Sequence, residues 1–391
     1  MDKVAHSMFA HAGLFPTGEV YCTSTPAMES TTYITQRFQR LPLVNQASLT
    51  GVTEGLFDGL YYGGVDTPTT RQLALQLAAM EKGKFTVITP SGQFAINLLF
   101  TTLVRAGDHV LVGDTSIYST QWLFQHFINT GIDIETFSPN DAKHLKTRLT
   151  QKTKLIFIEN PGAITFEITD IASLAESLKD HPVIIAVDNT WAASSFHHPL
   201  SLGADISLLS MSKSHAAIEG ISLGALATNR KDIHSQLKTT SALIGNHVSS
   251  YACAAALRAI TTLGARLDTQ MSTTRKVLRA LTSMPLIRKV IHPIIDYPEC
   301  SLTALHISGF NSILTIELTC TREDAIVKLN KLRLIKIGYG WGGSVSIINF
   351  VEMRQSPSAN RLGITGECLR IYLGLEGADD LIGDLQKAFI E

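Results

Sequence analysis

Residues 183–213 read VIIAVDNTWAASSFHHPLSLGADISLLSMSK. The opening run Val183-Ile184-Ile185-Ala186-Val187 is short, wholly apolar and mostly β-branched, and it stops at Asp188; Ile206-Ser207-Leu208-Leu209 is a second short, largely apolar run ahead of Ser210. Runs this short and this apolar are strands covered on both faces, as in a parallel sheet sandwiched between helices. Toward the N-terminus the same signal recurs at Leu155–Ile158, Asp108–Val112 and Phe85–Thr89, with helical periodicity at Ile171–Leu178, Gln93–Val104 and Arg71–Met80. The alternation predicts an α/β domain over 61–250 with a doubly wound, mostly parallel sheet, whose ligands sit at the carboxyl ends of the strands. After about residue 250 the pattern changes. A long helical stretch from Tyr251 to Leu281, strands at Ile313–Leu318, Val345–Phe350 and Leu369–Leu373, and a helix Ala378–Phe389 predict a smaller C-terminal α+β domain over 251–391. Residues 1–60 mix Gly, Pro, Ser and Thr with little periodicity and read as an N-terminal arm.

A chain of 391 residues exceeds one core, and 45% apolar with 17% charged residues is a globular composition. The net charge of −1 offers no basic field for nucleic acid or an acidic membrane surface. Neither a signal-peptide start nor an apolar run of about 20 residues is present, so no membrane partner is expected. Five scattered cysteines without a CxxC pair suit reduced thiols in a cytoplasm and give no metal site. The mild apolar excess favours buried subunit interfaces.

Asp188 and Lys213 both fall where a doubly wound fold places its ligand. An acidic group beneath a pyridine nitrogen keeps that nitrogen protonated, and a lysine at the cavity mouth holds the cofactor as a Schiff base and moves protons, which is pyridoxal 5′-phosphate chemistry. Ser210 and Ser212 flank the lysine with hydroxyls suited to a phosphate. Ser91-Gly92-Gln93 opens a helix after a strand, where free backbone N–H groups accept an anion. Taken singly, each feature has a plainer reading as a turn cap, a solvated lysine or a helix N-cap; the joint arrangement carries the inference.

From about Gly59 onward the sequence resembles the Cys/Met-metabolism family of pyridoxal phosphate enzymes, and within it the cystathionine β-lyase branch. The matches are Tyr61-Tyr62-Gly63, Ser91-Gly92-Gln93-Phe94-Ala95-Ile96, Glu159-Asn160-Pro161-Gly162, Val187-Asp188-Asn189-Thr190-Trp191-Ala192-Ala193, Gly203-Ala204-Asp205, Tyr339-Gly340-Trp341-Gly342-Gly343 and Leu369-Arg370-Ile371-Tyr372-Leu373-Gly374-Leu375-Glu376. The resemblance implies a type I transferase fold, Lys213 as the Schiff-base lysine and Asp188 with Thr190 at the ring nitrogen. It implies Ser91, Gly92, Gln93, Ser210 and Ser212 at the phosphate, and Arg370 clamping the substrate carboxylate with Asn160 and Trp341 nearby. Tyr62 would reach a neighbouring subunit's phosphate, because the family shares sites across a dimer within a homotetramer. A planar, bidentate guanidinium suits a carboxylate better than an ammonium does.

Departures from the family pattern cluster at the cofactor. Gly64 stands where an arginine grips the phosphate, with Arg71 the nearest replacement. Ile117 stands where a tyrosine covers the ring, with Tyr118 next in line as the catalytic phenol. Ser214-His215 follows the lysine in place of an aromatic residue, His215 being a new acid/base group or, on the plainer reading, a hydrogen-bonding core residue. Gly340 replaces a serine. The expected activity is carbon–sulfur β-elimination. The alternatives are γ-elimination or γ- or β-replacement on a homoserine- or cysteine-derived substrate, and a non-catalytic scaffold or regulatory subunit that keeps the fold.

Overall fold

A computed structural model describes residues 3–16, 21–34, 36, 56–57, 59–353 and 356–390. The expected arm is therefore described only in part; it includes a helix at Lys3–Ala10.

The larger sheet has seven strands: β1 (Phe85–Thr89), β2 (His109–Gly113), β3 (Asp133–Phe137), β4 (Thr153–Glu159), β5 (Ile184–Asp188), β6 (Ile206–Ser210) and β7 (Gly224–Thr228), in spatial order β1-β7-β6-β5-β4-β2-β3. Pairings from β3 through β6 are parallel, and β7 runs against both its neighbours β6 and β1. Alternate side chains explain the apolar runs. Val110, Val112, Phe157 and Leu208 pack on one face with Leu98 and Phe100 of α2 (Gly92–Leu103). Leu111, Ile156, Ile158, Ile185 and Val187 face the other way onto Ile171, Leu174 and Leu178 of the helix Ile171–Leu178. Each such fully buried side chain contributes roughly 1.5–3 kcal/mol of transfer free energy.

Two expectations shift. The helix read from Arg71 begins at Pro68, because Thr67 and Thr70 form a capping box and proline is favoured in the first helical turn. The single long helix from Tyr251 is two helices, Ser250–Thr261 and Leu263–Leu281, broken at Thr262. Buried Arg266 spans the break, donating Nη2 to Ala259 O, Nε to Thr262 Oγ1 and Nη1 to Ser214 O, next to Lys213.

The smaller sheet comprises β8 (Ile287–Ile291), β9 (Ile313–Leu318), β10 (Lys336–Ile337), β11 (Ile347–Val351) and β12 (Cys368–Tyr372), ordered β8-β9-β12-β11-β10. Its apolar face packs on Leu381, Leu385 and Phe389 of the helix Ala378–Phe389. Among the described residues no helix is long and apolar enough to cross a membrane.

Candidate active site

The carboxyl ends of β4, β5 and β6 deliver Glu159, Asp188 and Ser210 to one cavity of about 1210 Å³, which Lys213 and, from β12 of the smaller sheet, Arg370 also line. Asp188 lies opposite Glu159 in the β4–β5 ladder. Its Oδ1 accepts from Thr190 N (3.0 Å) and Thr190 Oγ1 (2.5 Å), and Thr190 Oγ1 in turn accepts from Ser210 N (2.8 Å). Among the described residues no hydrogen bond reaches Asp188 Oδ2, so one oxygen is left for a ligand. Burial pushes the Asp188 carboxyl up, against the bonds from Thr190 and the charge of Lys213. The Lys213 amine lies 3.5 Å from Ser212 Oγ. Burial pulls it down, as does Arg370, while Asp188 and Glu159 hold it up.

Gly92 packs so tightly on Ser210 that a Cβ would lie 2.5 Å from the serine Cβ. That approach sets the first amides of α2, which have no intrahelical partner, against the paired Ser210 and Ser212 hydroxyls (2.9 Å). Ser91 caps the helix through Phe94 N. Ser91, Gly92, Gln93, Ser210 and Ser212 all line the cavity. An amide-and-hydroxyl cradle, an open carboxylate oxygen and a buried amine match the phosphate, ring nitrogen and aldehyde of pyridoxal phosphate. At the far wall a Cβ on Gly342, at φ +104°, would lie 2.4 Å from the Lys213 carbonyl carbon, so this loop rests directly on the lysine backbone.

Arg370 is 7% exposed, and no described residue hydrogen-bonds or ion-pairs with it. Burial lowers it, against Tyr118, Glu159 and Tyr339. An unpaired buried guanidinium on the cavity wall has the chemistry to take a carboxylate. Trp341 lines the cavity and packs on Tyr372. Ile117 and Tyr118 both line it, Ile117 as apolar cover and Tyr118 as the adjacent phenol. Gly340, at φ +98°, lines it as well, in a backbone conformation that glycine tolerates best.

Three residues singled out in the sequence lie off the cavity wall, His215 in keeping with its plainer reading as a hydrogen-bonding core residue. Asn160 does not line the cavity: it is fully buried, with Nδ2 donating to Thr169 O (3.2 Å) and Oδ1 accepting from Thr169 N (2.8 Å). Arg71 is bound to Asp66 (2.9 Å) and lines a separate cavity with Gly64 and Lys238, so it does not serve this chain's own phosphate cradle. His215 is a fully buried core residue, its Nε2 bonded to Ser194 Oγ (2.8 Å) and its pKa held down to about 3 by burial. Tyr62 is half-exposed and outside the cavity, and its ring lies against Gly64 where an arginine side chain would begin.

Glu159 was overlooked, although it heads the Glu159-Asn160-Pro161-Gly162 motif and ends a strand beside Asp188. Its Oε2 accepts from Ile117 N (2.8 Å), and burial followed by the Asp188 charge pushes it up to about 8. A carboxyl raised from 4.5 binds its proton more tightly folded than unfolded, so its contribution to stability is present below pH 4.5 and lost as pH rises to 8. Glu159→Gln keeps an oxygen for Ile117. It is expected to stabilise the apoprotein by roughly 1–3 kcal/mol at pH 8.5 and by little at pH 5. Thermal melts at both pH values check this, and a pH-independent difference would refute it.

This fold with this cavity defines a pyridoxal phosphate-dependent enzyme. Residues 6–390 match the Cys/Met metabolism PLP-dependent enzyme family, and the chain belongs to it. It is 31% identical over 331 residues to a cystathionine beta-lyase of Bordetella avium, covering 84% of this chain and 83% of that one. It is 29% identical over 344 residues to an L-alanine/L-glutamate racemase of Wolbachia pipientis wMel, covering 86% and 84%. The fold matches a cystathionine gamma synthase from Xanthomonas oryzae pv. oryzae with TM-score 0.87 at 24% identity, covering 100% of this chain and 98% of that one.

Proposed function

We propose that the protein catalyses carbon–sulfur β-elimination on a sulfur-containing amino acid of the cystathionine type. The observation that carries the reading is the set of groups on the cavity wall: one buried amine, an open carboxylate oxygen and an unpaired guanidinium. When bound, pyridoxal phosphate supplies an electron sink for a carbanion at the substrate α-carbon. The amides of Gly92 and Gln93 with the hydroxyls of Ser91, Ser210 and Ser212 hold its phosphate; Asp188, oriented by Thr190, holds its ring nitrogen. Arg370 binds the substrate α-carboxylate in bidentate fashion and turns the α-proton toward Lys213. The Lys213 amine, whose proton burial makes easier to lose, removes that proton. Ile117, Trp191 and Trp341 exclude water from the reacting carbon. The Cβ–S bond breaks and the sulfur leaves as a thiol, with Tyr118 the phenol placed to protonate it. The three-carbon remainder is hydrolysed to pyruvate and ammonia.

β-Elimination moves one carbon-bound proton, whereas γ-elimination moves a second, from Cβ, and among the described residues Lys213 is the one amine base on the cavity wall. The shared-site homotetramer belongs to the same proposal: Tyr62, half-exposed outside its own cavity, is available to a neighbouring subunit's phosphate. L-cystathionine turnover with identification of the keto acid tests the reading, and pyruvate is expected. Release of 2-oxobutyrate instead would assign γ-chemistry. D-alanine or D-glutamate formed from the L-enantiomer, with no keto acid, would move the assignment toward the activity named for the Wolbachia relative.

A further inference from the structure

Behind the cavity lies a second polar cluster that no step of the reaction uses. Six side chains, Glu81, Asn189, Ser194, His197, Ser207 and His215, are almost wholly buried there. Glu81 ends the helix Pro68–Met80, and its Oε2 accepts from Asn189 Nδ2 (3.0 Å) and Ser207 Oγ (2.5 Å). Asn189 directly follows Asp188, and its Oδ1 meets His197 Nδ1 (3.1 Å). Ser207 sits in β6, three residues before Ser210. Glu81 thus ties together the two adjacent strands that deliver the ring-nitrogen carboxylate and the lysine. One step further out, the loops after those strands are tied again. Ser194 lies beside the Glu81 carboxyl and bonds His215 Nε2 at 2.8 Å, two residues past Lys213. Asn311 adds a third tie, from Nδ2 to Trp191 O (2.9 Å) and to Ser214 Oγ (3.4 Å).

Two observations set the cluster apart from ordinary core packing. Ala193 and Ser194 are consecutive non-glycine residues at φ +53° and +56°, a conformation that persists only where surroundings enforce it and that concentrates at functional sites. Glu81 Oε1, His197 Nε2 and His215 Nδ1 are buried without a hydrogen-bond partner. Burial raises the Glu81 carboxyl and holds both histidines down to about 3.

We propose that Ser194, His215 and Glu81 are positioning residues that fix Asp188 and Lys213 relative to each other, and so set cofactor affinity and the reactivity of the Lys213 amine. The family membership supplies the cofactor; the brace itself does not depend on which carbon–sulfur reaction follows.

Ser194→Gly is the clean test, since glycine takes φ +56° freely and the substitution removes the hydroxyl, together with its small Cβ, without straining the backbone. In the holoenzyme it is expected to weaken cofactor affinity and lower kcat by about 10-fold each, with KM little changed. The pH midpoint of the bound cofactor's absorption band is expected to shift as well. That midpoint reads the Lys213 amine in the combined field of Asp188, Glu159, Arg370 and Tyr118. The melting temperature should not fall. Ser194→Asn, which accepts the same backbone and offers an amide to His215, should restore the midpoint and the affinity. Glu81→Gln, an isostere that keeps an oxygen to accept from Asn189 and Ser207, should behave as wild type, and Glu81→Ala should reproduce Ser194→Gly. Wild-type affinity and midpoint in Ser194→Gly, or losses that Ser194→Asn does not reverse, would overturn the brace. Affinity and absorbance are read without turnover, so a failed β-elimination assay leaves this test standing.

Discussion

Lys213→Ala is expected to lower turnover by about 10³-fold or more, the largest single effect available in this protein, because positioned proton transfer alone is worth roughly 10²–10⁴. The amine is suited to the task by its surroundings. Burial and the Arg370 charge favour the neutral, proton-accepting form, while Asp188 and Glu159 restrain that shift. Alanine removes the base and the covalent attachment together, yet leaves the Ser91-Gly92-Gln93 cradle and Asp188 in place. The variant should therefore still bind pyridoxal phosphate, now released by dialysis, and borohydride reduction should tag the Lys213 peptide of the wild type and nothing equivalent in the variant. More than about one percent of wild-type turnover in Lys213→Ala would remove the lysine from the chemical step.

Arg370→Met is expected to lower kcat/KM by about 10²–10³-fold, since two charge-assisted hydrogen bonds to a carboxylate are worth roughly 1.5–3 kcal/mol each. Arg370→Lys keeps the charge but loses the planar fork, and should recover only part of that loss. Stability should move the other way. The guanidinium is buried on β12, whose Arg370 pairs in register with Thr315 and Asn349 of the flanking strands, and among the described residues no ion-paired carboxylate offsets its desolvation. The methionine apoprotein should melt at the same temperature as wild type or higher. An Arg370→Met variant that melts lower and binds substrate normally would make the residue structural.

Apolar strand runs and the residues at their ends were legible in the sequence because a two-sided core leaves little choice of side chain, and Asp188, Lys213, the Ser91 turn and Arg370 meet in one cavity. The direction of β7 was not legible: Gly224-Ala225-Leu226-Ala227-Thr228 carries no mark of antiparallel pairing. Its glycine reflects a contact with Ser91, where a Cβ would lie 2.3 Å from the carbonyl oxygen. The partner of Asn160 was not legible, because an asparagine in a site motif reads alike whether its amide faces a ligand or ties down Thr169. Glu81, more than 100 residues before its partners Asn189 and Ser207, had no local signal at all.

The loop resting on Lys213 and the strand carrying Arg370 both come from the smaller sheet, a whole domain's length of chain after the lysine. On a ribosome, the phosphate cradle, Asp188 and Lys213 emerge long before either. The segment proposed to hold the cofactor is therefore synthesised first and the one proposed to clamp the substrate last, and Arg266, Asn311 and the Gly342 loop reach the lysine segment only as the rest follows. Competence for reaction is thereby ordered in time by gene position.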